Sequence, residues 1–279
     1  MNKTEFNWVY HLIQDRKDLL ENKDEELAEL FRLCDNQTQR DLISNLLHQF
    51  FFLDGKQYGF LLAQMAKYIN SLNYPIDKLI VMAMTIDDKP DSSQDVIQNL
   101  KVYLAKEYDK EIKVCNSMSD INGWYNKGFR HFIVVDEFVG SGKTINSRYK
   151  NRYKKIKTHE KVTINFCILT GMTNAINSLE KAGIPVKVFK ELPRGISDFF
   201  IGDTLNIKIR SMLALEQKLA ESINTLKLKD YSLGYLKAEA LYYKENGNIP
   251  NNVFPIFWWK RYQNESKRKT LFTRVQDGY

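Results

Sequence analysis

The spacing of hydrophobic residues along the chain changes at Pro75. Before that residue, apolar side chains recur at three- and four-residue intervals, which is the spacing of amphipathic helices. Clear examples are Leu27, Leu30, Phe31 and Cys34. Asp54-Gly55 interrupts the pattern and Asn73-Tyr74-Pro75 ends it. We therefore expect residues 1–75 to be helical and to contain no strand.

After Pro75, short apolar runs alternate with helical spacing. The runs predict strands at residues 79–84, 112–115, 132–135, 162–169 and 186–189. Between them, helical spacing covers residues 96–108, 119–128, 144–157 and 174–181. This alternation predicts an α/β fold in three layers, with a parallel sheet covered by helices on both faces. Ligands in such folds bind at the carboxyl ends of the strands.

The last third of the chain changes character again. Residues 210–243 have helical spacing, and residues 250–259 are rich in aromatic and turn residues. No internal repeat or Gly/Ser linker separates these segments. We predict a helical N-terminal extension at residues 1–75 and an α/β domain at residues 76–279, which ends in an aromatic and basic tail.

Composition narrows the class of protein. Hydrophobic residues make up 43% and charged residues 27%, which excludes a disordered or low-complexity chain. The net charge of +7 is compatible with an anionic ligand or nucleic acid. Three distant cysteines and four histidines without ligand spacing predict neither a disulfide framework nor a metal site, and favour the cytoplasm. No apolar run approaches the roughly 20 residues that span a membrane.

Residues 132–144 carry the most informative motif. They read Phe-Ile-Val-Val-Asp-Glu-Phe-Val-Gly-Ser-Gly-Lys-Thr, and the Gly-Ser-Gly-Lys-Thr ending suggests a P-loop. The P-loop pattern GxxxxGK[ST] would require its first glycine at position 137. That position is Glu137, whose carboxylate would face the phosphates. The P-loop interpretation is therefore weak.

The same residues resemble the phosphoribosyl-diphosphate signature of type I phosphoribosyltransferases. In that signature a strand is followed by two acids, two further residues, a small residue, Ser or Thr, Gly, any residue and Thr. Asp136 and Glu137 are the two acids and the candidate catalytic residues, and their carboxylates can accept hydrogen bonds from ribose hydroxyls. The pair can also hold Mg²⁺ indirectly, through water or the sugar hydroxyls.

The candidate phosphate-binding residues follow directly. They are Gly140, Ser141, Gly142, Lys143 and Thr144. The glycines permit a tight turn, and backbone amides at the start of the next helix can surround a phosphate. Lys143 has two equally weighted interpretations, a phosphate ligand or a solvated lysine. Hypoxanthine-type enzymes have an aspartate where this chain has Gly140.

Two further segments extend the resemblance over about residues 75–275. Lys89, Ser92 and Ser93 follow the first strand, where type I enzymes place a diphosphate loop; a surface turn is the alternative. Arg194 and Asp198 lie in a segment expected to close over the ligand as a lid, although Asp198 could equally cap the following segment. These segments and the tail resemble the phosphoribosyltransferase-like branch of bacterial conflict and anti-phage systems, some of it retron-associated.

The resemblance implies an effector that binds phosphoribosyl diphosphate or a nucleotide with Mg²⁺ and transfers or removes a pentosyl group. A non-catalytic nucleotide-sensing or partner-docking module is the alternative. The basic residues after the motif favour a solvated helix face; they are Arg148, Lys150, Arg152, Lys154, Lys155, Lys157 and Lys161. A second basic cluster surrounds Trp258 and Trp259, and we expect these two tryptophans to pack in the core. The other interpretation is a surface for nucleic acid, a ribonucleoprotein or a reverse transcriptase.

Overall fold

The computed structural model describes residues 1–86, 91–153 and 162–275. In chain order its α-helices are α1 (Lys3–Asp15), α2 (Lys17–Leu20), α3 (Asp24–Leu33), α4 (Gln37–Gln49), α5 (Gly55–Ser71), α6 (Ser92–Glu107), α7 (Ile121–Asn126), α8 (Lys143–Tyr153), α9 (Thr173–Lys181) and α10 (Gly202–Glu216). Its strands are β1 (Phe51–Leu53), β2 (Leu79–Ala83), β3 (Lys113–Cys115), β4 (His131–Val139), β5 (Thr163–Met172), β6 (Val186–Leu192), β7 (Ser222–Ile223), β8 (Leu226–Lys227) and β9 (Tyr242–Lys244).

The chain divides into two compact units. The α/β unit comprises residues 55–192, and the helical unit comprises residues 1–54 together with residues from 193 onward. This division differs from the predicted boundary after residue 75. Helix α5 lies in the α/β unit because it packs on β5 and β6. Its apolar face, which includes Leu62 and Met65, is buried.

A five-stranded parallel sheet forms the centre of the α/β unit, in the order β3-β2-β4-β5-β6. All five residues of β2 are buried, as expected for a strand covered on both sides. Phe166 of β5 contacts Tyr149 of α8, whereas Phe189 of β6 contacts Tyr68 of α5. Val188 pairs with Ile168, so Phe166 and Phe189 point to opposite faces of the sheet. The predicted three-layer α/β fold is confirmed.

Local sequence explains where the flanking helices begin and end. Asp91 caps α6 by accepting a hydrogen bond from the backbone N–H of Ser93 at 2.8 Å, and Gln94 completes a capping box. Helix α9 ends before Gly183, whose φ of +69° is the left-handed conformation that glycine adopts at low cost. Asp91 therefore fixes the start of α6 after β2, and Gly183 fixes the end of α9 before β6.

The helical unit joins the two ends of the chain. Strand β1 pairs in parallel with β9, with Phe51 opposite Tyr242. The Tyr262 hydroxyl donates to Glu29 at 2.7 Å, and the Lys218 ammonium donates to the carbonyl of Leu33 at 2.6 Å. The prediction that no strand precedes Pro75 is wrong, because β1 finds its partner in a segment far along the chain.

The aromatic tail supplies the core of this unit. Trp258 and Trp259 are buried, and their indole N–H groups donate to the carbonyls of Val253 and Ala220 at 2.9 and 3.0 Å. Arg268 is buried with them and donates to two tail carbonyls. The packed interpretation of the tryptophan pair is confirmed, since side chains this deeply buried cannot stack on nucleobases.

Residues 210–243 depart from the predicted helix. Helix α10 ends at Glu216, and the chain continues through the β7–β8 hairpin and two short 3₁₀ turns. Leu233, Leu236 and Glu239 have positive φ values, which an α-helix excludes. In residues 1–86, 91–153 and 162–275, no helix is both long and apolar enough to span a membrane.

Candidate functional site

Asp136 and Glu137 lie inside the last part of β4, and both are buried. The strand was predicted to end at residue 135, but its pairing with β5 continues to Val139. Because neighbouring side chains in a strand point to opposite faces, the two acids do not share one side of the sheet. The predicted catalytic pair therefore divides between two environments.

Asp136 has few hydrogen-bond donors for a buried carboxylate. Its Oδ1 atom accepts from the backbone N–H of Glu137 at 2.7 Å and from the Ser92 hydroxyl at 3.3 Å. Burial and, after it, the negative charge of Asp91 raise the pKa of Asp136 to about 8. The Glu137 hydrogen bond and the positive charge of Arg148 act in the opposite direction. A group with positive charge or hydrogen-bond donors would stabilise the ionised form here.

Glu137 faces the side of the sheet that α5 covers. The Tyr58 hydroxyl of α5 donates to Asp95 of α6 at 2.8 Å. Burial, the Asp95 hydrogen bond and the charges of Asp95 and Glu137 all raise the pKa of Tyr58. Tyr58 therefore stays protonated at the sheet edge. No motif in the sequence marked it, because it lies at the start of a helix far upstream of residues 132–144.

The predicted phosphate loop joins β4 to α8. Gly142 has a φ of +72°, and a Cβ atom at this position would lie 3.2 Å from the Leu179 side chain. Helix α8 starts at Lys143, and its first turn closes when Asn146 N–H donates to the carbonyl of Gly142 at 2.9 Å. Lys143 and Thr144 are exposed. The loop presents a helix N-terminus beside the carboxyl end of β4, which is the arrangement that binds phosphates.

The two serines of the predicted diphosphate loop have different surroundings. Ser92 contacts Asp136, as described above, whereas Ser93 is fully buried and its hydroxyl accepts from the backbone N–H of Thr85 at 3.2 Å. Ser93 thus stabilises the conformation of its own loop. Lys89 lies outside the described residues.

Arg148 lies at the site, whereas the sequence predicted an exposed position for it. It was assigned to an exposed basic face of α8, but it is half-buried and donates a hydrogen bond to the carbonyl of Met84, just after β2. It therefore links α8 to the end of β2 and lowers the pKa of Asp136 electrostatically. Lys150 is exposed as predicted, and residues 154–161 lie outside the described residues.

The predicted lid residues lie in the helical unit. Arg194 and Asp198 form an ion pair with 2.7 Å between Nη2 and Oδ1, and Asp198 also accepts from the backbone N–H of Arg194 at 2.8 Å. The pair closes a short turn.

Metal binding was expected at Asp136 and Glu137. Within the described ranges, no group of three or more His, Cys, Asp or Glu side chains could hold a metal ion. Magnesium, however, usually binds one or two carboxylates and takes its remaining oxygens from water and the ligand's phosphates. Asp136, with the charge of Asp91 beside it, fits that smaller donor set.

Several solved structures are similar to this chain. A hypothetical protein from Neisseria gonorrhoeae with bound ppGpp is 15% identical with a TM-score of 0.34, and the match covers 52% of this chain and 86% of that one. Helicobacter pylori xanthine-guanine-hypoxanthine phosphoribosyltransferase is 12% identical with a TM-score of 0.32, covering 51% and 83%. Mycobacterium tuberculosis H37Rv orotate phosphoribosyltransferase in complex with 5-phospho-α-D-ribosyl 1-diphosphate is 8% identical with a TM-score of 0.30, covering 66% and 96%.

Sequence comparison gives a clearer answer. No curated protein matches the chain. A family model does, under the description PRTase-CE, and it matches residues 17–274. The match spans nearly the whole chain and includes the sheet, the β4–α8 loop and the aromatic tail. The chain therefore belongs to the PRTase-CE family, whose members have a phosphoribosyltransferase-like domain.

Proposed function

We propose that this protein binds a ribose 5-phosphate derivative, either a phosphoribosyl diphosphate or a nucleotide, at the carboxyl edge of its parallel sheet. We further propose that it transfers or removes the pentosyl group. The observation that carries this proposal is the juxtaposition of Asp136 with the β4–α8 loop. A buried carboxylate with few donors lies next to a glycine turn and a helix N-terminus.

The ligand's two polar parts match these two features. Ribose hydroxyls are donors, and they would complete the hydrogen bonding of the Asp136 carboxylate. The 5′-phosphate would bind the loop amides, the Ser141 and Thr144 hydroxyls and the positive end of α8. Lys143 is exposed at the same helix start and would reduce the charge of a bound phosphate.

The reaction would take place at the anomeric carbon. The bond between that carbon and its leaving group breaks, and a bond to an acceptor or to water forms. The departing diphosphate or base takes the bonding electrons. Magnesium, when bound at Asp136 and ligand oxygens, would supply charge neutralisation for a diphosphate. The role of this chain's own residues is to hold the ribose on Asp136 and the phosphate on the loop, so that the anomeric carbon is fixed.

A thermal-shift experiment tests the binding half of the proposal. Phosphoribosyl diphosphate with Mg²⁺ should raise the melting temperature of the wild type, because a ligand that binds only the folded state stabilises it by mass action. The double variant Asp136→Asn/Glu137→Gln should fold but lose the shift. An unchanged shift in the double variant would contradict the proposal.

The second candidate is a nucleotide sensor without turnover. The observation in its favour is that Asp136 and Glu137 face opposite sides of β4. A single ligand would therefore not make the same contacts with both carboxylates. Pyrophosphate release separates the two functions. The enzyme would release pyrophosphate from phosphoribosyl diphosphate in a manner abolished by Asp136→Ala, whereas the sensor would bind the ligand and release none.

We place this activity in the bacterial cytoplasm as the effector of an anti-phage system, with a ribonucleoprotein or reverse transcriptase as its restraining partner. The resemblance to the anti-phage branch and the three free cysteines support this setting. Expressed alone, the wild type should slow bacterial growth, and Asp136→Ala or Thr144→Ala should relieve the effect. Equal toxicity of all three proteins would point to another active surface.

A further inference from the structure

A cavity of about 1010 Å³ lies within the helical unit, and its lining includes none of the residues that carry the proposed phosphoribosyl site. Its walls come from the end of α10, the β7–β8 hairpin and the segment that follows them. Leu213, Leu219 and Leu228 supply its apolar lining. The volume is at the upper end of the range for small-molecule sites, so the cavity has room for a ligand the size of a nucleotide.

Glu216 gives this cavity a buried acceptor. The side chain is only 3% exposed, and its carboxylate accepts from the Ser232 hydroxyl at 2.6 Å and from the backbone N–H of Leu233 at 3.0 Å. An ionised carboxylate can accept about four hydrogen bonds. Two protein donors therefore leave capacity on a group that lines the cavity, and a ligand with N–H donors would use it.

The rest of the charged lining consists of two lysines and a second carboxylate, Glu221. Lys227 and Lys229 line the cavity and are exposed, and neither makes an ion pair or hydrogen bond through its ammonium group to any residue in the described ranges. Gln217 and Gln263 add exposed side-chain amides to the lining. A ligand suited to these walls has an anionic group for the lysines, N–H donors for Glu216 and an apolar face for the leucines.

We propose that this cavity is a second ligand site, which binds a phosphorylated nucleoside with an amino-substituted base. The base donates to the Glu216 carboxylate and packs on the leucines, and the phosphate binds Lys227 and Lys229. A free amino acid has both charges but is too small for the volume. The site is independent of the proposed phosphoribosyl chemistry, and a chain that binds ligands at both places could couple the level of one nucleotide to its activity on another.

Calorimetric titration of the full chain tests this site alone. The background variant is Asp136→Asn/Thr144→Ala, which disables the sheet-edge site. The probes are GMP, AMP and CMP, each with its unphosphorylated nucleoside. At least one nucleotide should bind with one site per chain, and its nucleoside should bind at least tenfold more weakly, because the lysine contacts are lost.

Matched lysine pairs supply the control. Lys227→Gln/Lys229→Gln should weaken nucleotide binding at least tenfold, whereas Lys260→Gln/Lys267→Gln makes the same charge change at exposed positions outside the cavity lining and should leave it unaltered. Glu216→Gln should also weaken binding; the exposed lysine pair keeps the test valid if that variant fails to fold. The proposal is overturned if none of the three nucleotides binds the background variant, or if both lysine pairs weaken binding equally.

Discussion

The two units of this protein organise their backbones in different ways. In the described part of the α/β unit, regular strands and helices satisfy the main chain, and Asn73 is the single non-glycine residue with a positive φ. In the helical unit, Leu233, Leu236, Lys237 and Glu239 all adopt positive φ within seven residues. Such conformations cost about 1–2 kcal/mol each, so the surrounding structure must compensate for them.

Buried carboxylates supply that compensation. Glu239 accepts hydrogen bonds from the backbone N–H groups of Ile196 and Ser197 at 2.9 and 2.8 Å and from the Ser197 hydroxyl at 2.5 Å. Glu216 has two donors, the Ser232 hydroxyl and the backbone N–H of Leu233, and the rest of its acceptor capacity lies at the cavity described above. Asp136 of the α/β unit has a weaker set of donors and a negative neighbour. A buried carboxylate with a full set of donors, such as Glu239, thus stabilises the fold, whereas one with unused acceptor capacity marks a ligand site.

The largest effect should come from Glu239→Ala. The substitution leaves two backbone N–H groups without their acceptor, and each unsatisfied group costs about 1–3 kcal/mol. We expect the free energy of unfolding to fall by about 3 kcal/mol in urea denaturation. Glu221→Ala, which removes an exposed carboxylate from the same unit, should change it by less than about 0.5 kcal/mol. Equal effects of the two variants would refute the structural role of Glu239.

The next effect is a pH dependence at Glu216. Its pKa is raised from 4.5 to about 7, because the effect of burial exceeds the opposite effect of the hydrogen bonds from Ser232 and Leu233. The folded chain therefore binds more protons than the unfolded chain between these values, and the free energy of unfolding falls as pH rises through this window. Glu216→Gln cannot titrate, so its stability relative to wild type should increase from pH 5 to pH 8.

The size of this change is bounded by about 1.4 kcal/mol for each unit of pKa difference. Urea denaturation at both pH values measures it, and the other titrating groups cancel in the comparison. Parallel pH profiles for wild type and Glu216→Gln would mean that Glu216 is not held in the buried environment described here.

A smaller effect is expected at two glycines of the α/β unit, where backbone strain can be distinguished from loss of ligand binding. Gly142→Ala and Gly183→Ala both place a side chain at a φ near +70°, which costs about 1–2 kcal/mol. A Cβ at Gly142 also meets Leu179, whereas a Cβ at Gly183 has no heavy atom within 4 Å. Both variants should lose stability, but only Gly142→Ala should weaken binding of phosphoribosyl diphosphate. Equal ligand affinity in the two variants would exclude the β4–α8 loop from the site.

The smallest effect concerns the basic residues after the motif. If they contact phosphates of an RNA partner, Lys150→Gln/Lys154→Gln/Lys157→Gln should flatten the dependence of log affinity on log salt by about one unit per lost contact. Nucleotide-induced thermal stabilisation should stay the same. Fluorescence anisotropy with an RNA oligomer measures the slope, and unaltered slope and affinity would leave solvated lysine side chains as the explanation.

The sequence was most informative where structure is local. Short, mostly apolar runs identified all five strands of the parallel sheet, and the 132–144 motif located Asp136 and the loop before α8. The pattern failed in residues 217–243, because their backbone is held by Glu216 and Glu239 rather than by a regular ladder. It also missed β1, whose partner β9 lies almost 200 residues away.

The same distinction applies to the site. Tyr58 and Arg148 reach it from two different helices, and no motif spacing records that convergence. The opposite orientation of Asp136 and Glu137 depends on the strand continuing to Val139, whereas the apolar run ends at residue 135. Tertiary pairing with β5 decides where the strand ends.

Calorimetric titration of phosphoribosyl diphosphate with Mg²⁺ shows whether the sheet edge at Asp136 binds a phosphoribosyl ligand. Wild type should bind with one site per chain. Asp136→Asn should bind at least tenfold more weakly, while Asp109→Asn, the same change at an exposed position of the same unit, should bind like wild type. Equal affinities for all three proteins, or no binding by wild type, would contradict the proposed site.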